Sequence, residues 1–187
     1  TLALIENKLR EHHITNIQAF PVKPRETVQL GCFSVQFIRV NHSIAGAYAL
    51  AITCPAGTVV ATGDFKIDFT PVTGEVTDLS TLAAIGERGA LALLCDSTNV
   101  ERPGYTMSER KVAETFNQQI LSAQGRVIIA MFASNIHRVQ QVVDCAITYG
   151  RKVCFIGRSM INTSTVAMDL GYLVIPRENL IEMDDLD

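Results

Sequence analysis

Three apolar runs of this sequence each end in a short polar cluster that could carry chemistry. The clusters are Asn41-His42-Ser43, Gly63-Asp64-Phe65-Lys66 and Asp96-Ser97-Thr98-Asn99. Imidazole and carboxylate groups bind zinc or manganese, and a carboxylate can also bridge two cations or transfer a proton. Because α/β proteins usually carry their sites at the ends of strands, these clusters are candidates for binding a metal ion or transferring protons.

The same three clusters also have a purely structural explanation. His42 and Asp64 provide two ligands, whereas a catalytic zinc ion usually has three protein ligands. Asp96 and the polar residues after it are equally typical of a turn in which side chains bind backbone N–H groups. From spacing alone, ligands and turn residues both remain open interpretations.

Two later corners of the chain predict a surface that binds phosphate groups. At Ser134-Asn135 and at Arg158-Ser159 a strand-like run passes into a helical pattern, and unpaired N–H groups at a helix start attract anions. Basic side chains, including His137, occupy the first helical turn after Asn135, where an anionic ligand would offset their unfavourable position. The alternative is that Ser134 and Ser159 are ordinary helix N-caps.

The elements that must position these residues fall into two groups. In the first group, apolar spacing predicts a helix near residues 2–13 and strands at 33–37, 47–53 and 58–62. The turn Pro55-Ala56-Gly57 separates the last two strands, so consecutive antiparallel pairing is expected. A short helix beginning near Leu79 and a buried strand at 90–95 follow.

The second group begins after Arg102-Pro103-Gly104, the strongest break in the sequence. A helix containing Val112 and Ile120 is predicted first, with Thr106 and Glu109 spaced as a capping box. Strands at 127–132 and 153–156 then alternate with helices at 136–147 and after 157. Such alternation predicts a parallel sheet, so we expect α/β architecture with domains at 1–104 and 105–187.

Composition limits the class of protein. The chain has 187 residues, 48% of them hydrophobic, and a formal net charge of −3, which suits a globular core and gives no global sign of nucleic-acid binding. No apolar stretch is long enough to span a membrane. Five cysteines without a C-x-x-C pair predict reduced, mostly buried thiols and a cytoplasmic location.

In their order along the chain, the motifs resemble the ribonuclease J family, in the β-CASP branch of the metallo-β-lactamase superfamily. The resemblance covers nearly the whole chain, and it is the ordered set rather than any single motif that is specific. The segments that carry it are Val40-Asn41-His42-Ser43-Ile44, Thr62-Gly63-Asp64-Phe65-Lys66, Cys95-Asp96-Ser97-Thr98-Asn99, Phe132-Ala133-Ser134-Asn135-Ile136 and Gly157-Arg158-Ser159-Met160.

The resemblance implies part of an αββα sandwich followed by part of an inserted β-CASP domain. It also implies two zinc ions, or manganese in some members, and both endonuclease and 5′-to-3′ exonuclease activity on RNA. His42 would match the third metal motif, Asp64 the bridging carboxylate of the fourth, and Asp96 the active-site acid of the first β-CASP motif. The Ser134 and Arg158 corners would face the RNA backbone.

The sequence also departs from the family pattern. The string H-x-H-x-D-H is absent, as are the two later β-CASP histidine motifs. We therefore expect an internal fragment that is inactive alone and that belongs to a homodimer or homotetramer when intact. The alternatives are another hydrolase of the metallo-β-lactamase fold and a metal-free RNA-binding or assembly module.

Overall fold

The first half of the chain is built around one mixed β-sheet. The structure, a computed structural model, describes residues 2–44, 46–72 and 75–186; residues 1 and 187, the outer limits of the two predicted domains, lie outside the described part. Its elements are α1 (Leu2–Glu11), β1 (Thr27–Leu30), β2 (Phe33–Arg39), β3 (Tyr48–Cys54), β4 (Gly57–Ala61), α2 (Leu79–Arg88) and β5 (Ala92–Leu94).

The strands lie side by side in chain order. The pairings from β1 to β4 are antiparallel, and β5 joins β4 in parallel. The antiparallel order of β2, β3 and β4 confirms the sequence prediction, whereas β1 is not among the predicted strands. In this register Ala61 pairs with Leu94. Because β4 and β5 run in the same direction, the polar clusters that follow them emerge at the same edge of the sheet.

A small core holds this half together. Ile38, Val40, Ala49, Ala51 and Val60 from the sheet region are buried with Ile85 of α2. The prediction of a buried strand at 90–95 is wrong for β5, since Leu93 and Leu94 are 61% and 63% exposed. Within the described residues β5 pairs with β4 alone, as the edge strand of this sheet. An apolar run predicts a strand without specifying what covers its faces.

The second half contains three helices and a separate core. The helices are α3 (Glu109–Ser122), α4 (Ile136–Thr148) and α5 (Arg158–Asp169), followed by 3-10 turns at Arg177–Asn179 and Met183–Asp185. Both α4 and α5 contribute to the core, while α3 packs against α4. The apolar stripe predicted for α4 is confirmed, because its residues Ile136, Val139 and Val143 are buried together with Ala167 and Leu173. The two cores lie on either side of residue 104, and the domain boundary there stays a prediction.

The parallel sheet predicted for the second half is reduced to one parallel bridge, between Val153 and Leu180. The runs 127–132 and 153–156 form no ladder with each other among the described residues. They instead line, with α4, an apolar cavity of about 480 Å³. Apolar periodicity cannot separate a paired strand from an extended segment that packs by side chains alone. The α/β fold class holds, with a mixed sheet and helices.

The capping box predicted from Thr106 and Glu109 is also wrong. The N-cap of α3 is Ser108, whose hydroxyl accepts the Arg110 N–H at 3.3 Å. Glu109 is thus the first helical residue, and its carboxylate contacts Arg138 rather than a backbone N–H at the cap. A capping box requires a free acid three residues beyond the cap, and here the acid is engaged by another helix.

The five cysteines are all free thiols. Cys145 is buried, whereas Cys32 and Cys95 are exposed and Cys54 and Cys154 are partly exposed, so the prediction of general burial is wrong. Cys32 lies in the β1–β2 turn and Cys95 follows the exposed edge strand, which explains their accessibility. Among the described helices, each is too short or too polar to cross a lipid bilayer.

Candidate active site

The first two polar clusters meet beyond the ends of β2 and β4. The Lys66 N–H donates to the Asn41 carbonyl at 2.7 Å in an isolated antiparallel bridge, which aligns the two loops. Gly63 has φ +56°, a left-handed conformation that glycine adopts without strain and that turns the chain after β4. His42 Nε2 consequently lies 3.7 Å from Asp64 Oδ2, with the imidazole 28% and the carboxylate 76% exposed.

Asp96, in the third cluster, lies beside this pair. Its N–H donates to the Thr62 hydroxyl at 2.9 Å, which joins the first residue after β4 to the second residue after β5. Hydrogen bonds from the Thr98 hydroxyl and N–H hold the pKa of Asp96 below its ordinary value, with smaller contributions from the Phe65 N–H and from His42. Asp96 is therefore ionised at neutral pH and lies in the field of the His42 imidazole.

His42, Asp64 and Asp96 thus converge on one edge of the sheet. The ammonium of Lys66, the nearest basic group in sequence, is directed away to the Met107 carbonyl at 2.7 Å. The edge therefore presents two carboxylates and an imidazole to solvent. This combination attracts cations, and it can hold a water molecule by hydrogen bonds.

The fit of this edge to a metal ion is partial. Tetrahedral zinc, with donors at about 2.0–2.1 Å, separates two ligand atoms by about 3.3 Å, close to the 3.7 Å between His42 Nε2 and Asp64 Oδ2. In the described part of the chain, however, no group of three or more His, Cys, Asp or Glu side chains is arranged to hold a metal ion. The pair fits two ligands of a larger set.

Lys66 also joins the site to the second half of the chain. Its ammonium lies 3.5 Å from a carboxylate oxygen of Glu109 and 3.9 Å from one of Asp68. Glu109 accepts three further charge-assisted bonds from the Arg138 guanidinium, at 2.8, 2.9 and 3.1 Å. Lys66, which follows Asp64 by two residues, is therefore part of an ion-pair junction with the starts of α3 and α4.

Asp68 is the buried acid of this junction. Burial raises its pKa, but hydrogen bonds led by the Thr70 N–H, together with the Lys66 charge, outweigh that effect and leave the pKa below its ordinary value. The Glu109 N–H also donates to Asp68 at 3.2 Å. The start of α3 is thereby anchored to an ionised carboxylate, a favourable arrangement for a helix N-terminus.

The corner at Ser134 and Asn135 has a clear structural role. Asn135 is buried and caps α4, since its side-chain oxygen accepts the Arg138 N–H at 3.2 Å. Ser134, which the sequence suggested as the cap, lies one residue before the observed cap. Burial lowers the pKa of His137, so its imidazole is neutral at pH 7. The basic side chains of this turn therefore need no anionic ligand, because Arg138 has Glu109 and His137 carries no charge.

The second corner is more open. Arg158 and Ser159 occupy the exposed first turn of α5. The N-cap is Gly157, with φ +96°, and no side chain caps this helix, so Ser159 is not the cap that the sequence suggested as an alternative. Arg158 and Ser159 remain available to bind an anion such as phosphate.

Sequence reasoning missed the buried residues that hold the three clusters in place. Thr62 and Thr77 are 6% and 4% exposed, and both bond to backbone groups next to the candidate site residues. Asp78 caps α2 and pairs with Arg25 at 2.7 Å. The only signal was position: Thr62 ends an apolar strand run, and Thr77-Asp78 stands directly before a helical pattern.

Comparison with known proteins gives a consistent family. Residues 124–187 match the family model described as ribonuclease J, beta-CASP domain. The chain is 44% identical over 183 residues to ribonuclease J of Mycolicibacterium smegmatis, covering 98% of this chain and 33% of that protein. It is 46% identical over 185 residues to ribonuclease J of Corynebacterium glutamicum, covering 99% and 26%, and 43% identical over 188 residues to that of Helicobacter pylori, covering 100% and 27%.

A solved structure supports the fold. A protein of unknown function from Enterococcus faecalis superposes with a TM-score of 0.64 at 17% identity, covering 91% of this chain and 43% of that one. At this identity the likeness concerns the fold alone. The chain spans about a quarter to a third of the length of the curated relatives named above.

Proposed function

Since this chain belongs to the ribonuclease J family, we propose that its protein is a metal-dependent ribonuclease that hydrolyses RNA phosphodiester bonds in RNA processing and decay. The observation that supports this proposal is the convergence of His42, Asp64 and Asp96 at one edge of the sheet, with imidazole and carboxylate 3.7 Å apart. Endonuclease and 5′-to-3′ exonuclease action, a cytoplasmic location and assembly into dimers or tetramers are parts of the same proposal.

His42 and Asp64 would hold zinc, with manganese as the alternative that the same ligand types allow. When bound, such a cation polarises a phosphoryl oxygen and lowers the pKa of a bound water molecule. Asp96, ionised at neutral pH, would orient the attacking water or accept its proton. Asp64, whose carboxylate is 76% exposed and lies beside His42, would be the ligand shared between two cations.

The RNA backbone would bind at the two corners of the second half. Arg158 and Ser159 are exposed at the start of α5 and can bind a phosphate by charge and hydroxyl donation. Ser134 and Asn135 would contribute through the backbone of their corner, because the Asn135 side chain is used as a cap. His137 would act as a neutral hydrogen-bond partner rather than as a cation.

The test compares alanine variants of the ligand pair in the full polypeptide encoded by the reading frame. With 5′-labelled RNA, His42→Ala and Asp64→Ala should each lower the hydrolysis rate by more than the ~10–100-fold that removal of a group supporting a metal ligand costs. His12→Ala and Asp169→Asn remove the same kinds of group from exposed positions elsewhere and should leave the rate unchanged. A chelator should abolish hydrolysis by the unmodified protein.

Two results would contradict the proposal. If both ligand variants hydrolyse RNA at the unmodified rate, the three clusters are turn residues. If the protein binds RNA tightly in the presence of chelator and never hydrolyses it, the protein is a metal-free RNA-binding module instead. Counting the labelled products additionally separates single-nucleotide release from internal cleavage.

A further inference from the structure

Two buried threonine hydroxyls connect the three polar clusters to one another. Thr62 and Thr77 are among the few buried polar side chains of the described chain, at 6% and 4% exposure. Each hydroxyl accepts one hydrogen bond and donates one, and each partner is a backbone group of a candidate site residue or of a residue within two positions of one. Neither residue reaches the solvent-exposed edge itself.

Thr77 joins the first cluster to the second. Its hydroxyl accepts the Asn41 N–H at 2.9 Å and donates to the Lys66 carbonyl at 3.0 Å. Asn41 directly precedes His42, and Lys66 follows Asp64 by two residues. The hydroxyl therefore reinforces the bridge between Asn41 and Lys66, and with it the separation of the imidazole and the carboxylate.

Thr62 joins the second cluster to the third. Its hydroxyl accepts the Asp96 N–H at 2.9 Å and donates to the Gly63 carbonyl at 2.7 Å. Its own N–H donates to the Leu94 carbonyl at 2.9 Å, which continues the β4–β5 pairing by one more bond. The Thr62 hydroxyl therefore links the backbone at Asp96 to the residue that precedes Asp64.

We propose that Thr62 and Thr77 are positioning residues that fix the mutual geometry of His42, Asp64 and Asp96. The inference rests on the proposed function, because the geometry matters only if these three residues act together. Groups that hold ligands from behind typically change metal affinity or activity 10–100-fold when they are removed. The hydroxyl is the essential part of each side chain, since it makes the side-chain hydrogen bonds to the three clusters.

The experiment uses the full polypeptide with four variants, Thr62→Val, Thr62→Ser, Thr77→Val and Thr77→Ser. Valine keeps the shape and removes the hydroxyl, whereas serine keeps the hydroxyl. We expect each valine variant to lower kcat for a short labelled RNA about 10–100-fold with KM changed less than about threefold. Each serine variant should retain kcat within about threefold. Thr53→Val, which removes a hydroxyl from the exposed Thr53–Thr58 pair, should change neither constant.

A second measurement does not depend on the folding of the valine variants. Amide hydrogen exchange followed by NMR in the unmodified protein should show the Asn41 and Asp96 amides protected at least about 100-fold relative to an unstructured peptide. In valine variants that fold, this protection should fall at those amides while the β2–β3 ladder keeps its protection. Unprotected Asn41 and Asp96 amides in the unmodified protein would overturn the inference.

The two proposals fail in distinguishable ways. If His42→Ala and Asp64→Ala leave hydrolysis unchanged, the proposed function fails and this inference falls with it. If those variants lose activity while the valine variants keep the unmodified kcat, the positioning role alone is wrong. If serine lowers kcat as much as valine does, the effect comes from packing rather than from the hydroxyl, and the inference is also overturned.

Discussion

Asp78 shows how a single buried carboxylate supports the site from outside it. Its side chain is 7% exposed and accepts bonds from the Thr81 N–H, the Thr81 and Ser80 hydroxyls and the Arg25 guanidinium. The Arg25 bond is the largest of several that hold the pKa of Asp78 well below its ordinary range, against the opposing effect of burial. Because Thr77 precedes it, this cap also fixes the hydroxyl that contacts Asn41 and Lys66.

Replacing Asp78 with asparagine should lower the free energy of unfolding by about 1–3 kcal/mol, since a charged cap and its ion pair are lost. The stabilisation by the ionised Asp78 is complete above the unfolded-state pKa and is lost as the pH falls below about 4. Urea unfolding measures the free energy of unfolding at pH 7 and at pH 3. The decrease in this free energy between pH 7 and pH 3 should be smaller for Asp78→Asn than for the unmodified chain. Asp169→Asn is the control, and equal pH dependence in all three proteins would contradict this account.

The ligand pair supports a second prediction at this scale. His42 and Asp64 give two donors, so the chain as it stands should take up zinc weakly and without a two-zinc stoichiometry. Isothermal titration calorimetry measures both quantities, and His42→Ala should remove the residual binding. Tight uptake of two zinc ions per chain would show that other groups complete the site.

At the scale of elements, Glu109 is the contact through which α3 and α4 meet the strand-end loops. It pairs with Arg138 of α4 and with Lys66 of the loop after β4, and its own N–H is bound by Asp68. The side chains involved are 18–30% exposed, apart from the more deeply buried Asp68. Because they are partly buried, these ion pairs stabilise the fold more than ion pairs on an open helix surface do.

Glu109→Gln should therefore lower the free energy of unfolding by about 1–2 kcal/mol, because two charge-assisted contacts are weakened together. Glu114→Gln is the matched control, since Glu114 pairs with Lys111 on the exposed surface of the same helix and should change stability by less than about 0.5 kcal/mol. Chemical unfolding of the three proteins measures the difference. Equal losses for Glu109 and Glu114 would mean that the junction contributes no more than a surface pair.

The helices and the antiparallel strands β2, β3 and β4 could be predicted because their information is local. The stripe in α4 and the alternation in β2 are visible in the sequence, and the three polar clusters follow directly from where those runs end. The covering of β5 and the pairing of 127–132 depend on distant partners, which periodicity does not record. Thr62 escaped notice for the same reason: a threonine after a strand is ordinary, and its role depends on Asp96, 34 residues away.

For the whole molecule, the main feature is the amount of surface left exposed. The accessible area is 12,800 Å², against about 8,800 Å² for a compact monomer of this length. Large apolar side chains contribute, including Leu93, Leu94, Ile128 and Phe132, which are 61–89% exposed. Apolar surface on this scale associates with other protein surface.

We expect the chain by itself to self-associate with increasing concentration. Sedimentation velocity should show a rising weight-average mass, and Leu93→Lys combined with Ile128→Lys should reduce it by adding charge to the apolar surface. Gln118→Lys, on the exposed face of α3, adds the same kind of charge elsewhere and should have a smaller effect. If the chain sediments as a monomer at all concentrations, these exposed apolar side chains do not mediate association.

The two kinds of contact around the site respond differently to ionic strength. Thr62 and Thr77 hold the clusters through neutral hydroxyls, which neither titrate near neutral pH nor depend on counter-ions. The junction of Lys66, Glu109 and Arg138 depends on partly exposed charges, which dissolved ions screen. Concentrated electrolyte therefore loosens the attachment of α3 and α4 while the spacing of His42, Asp64 and Asp96 stays fixed.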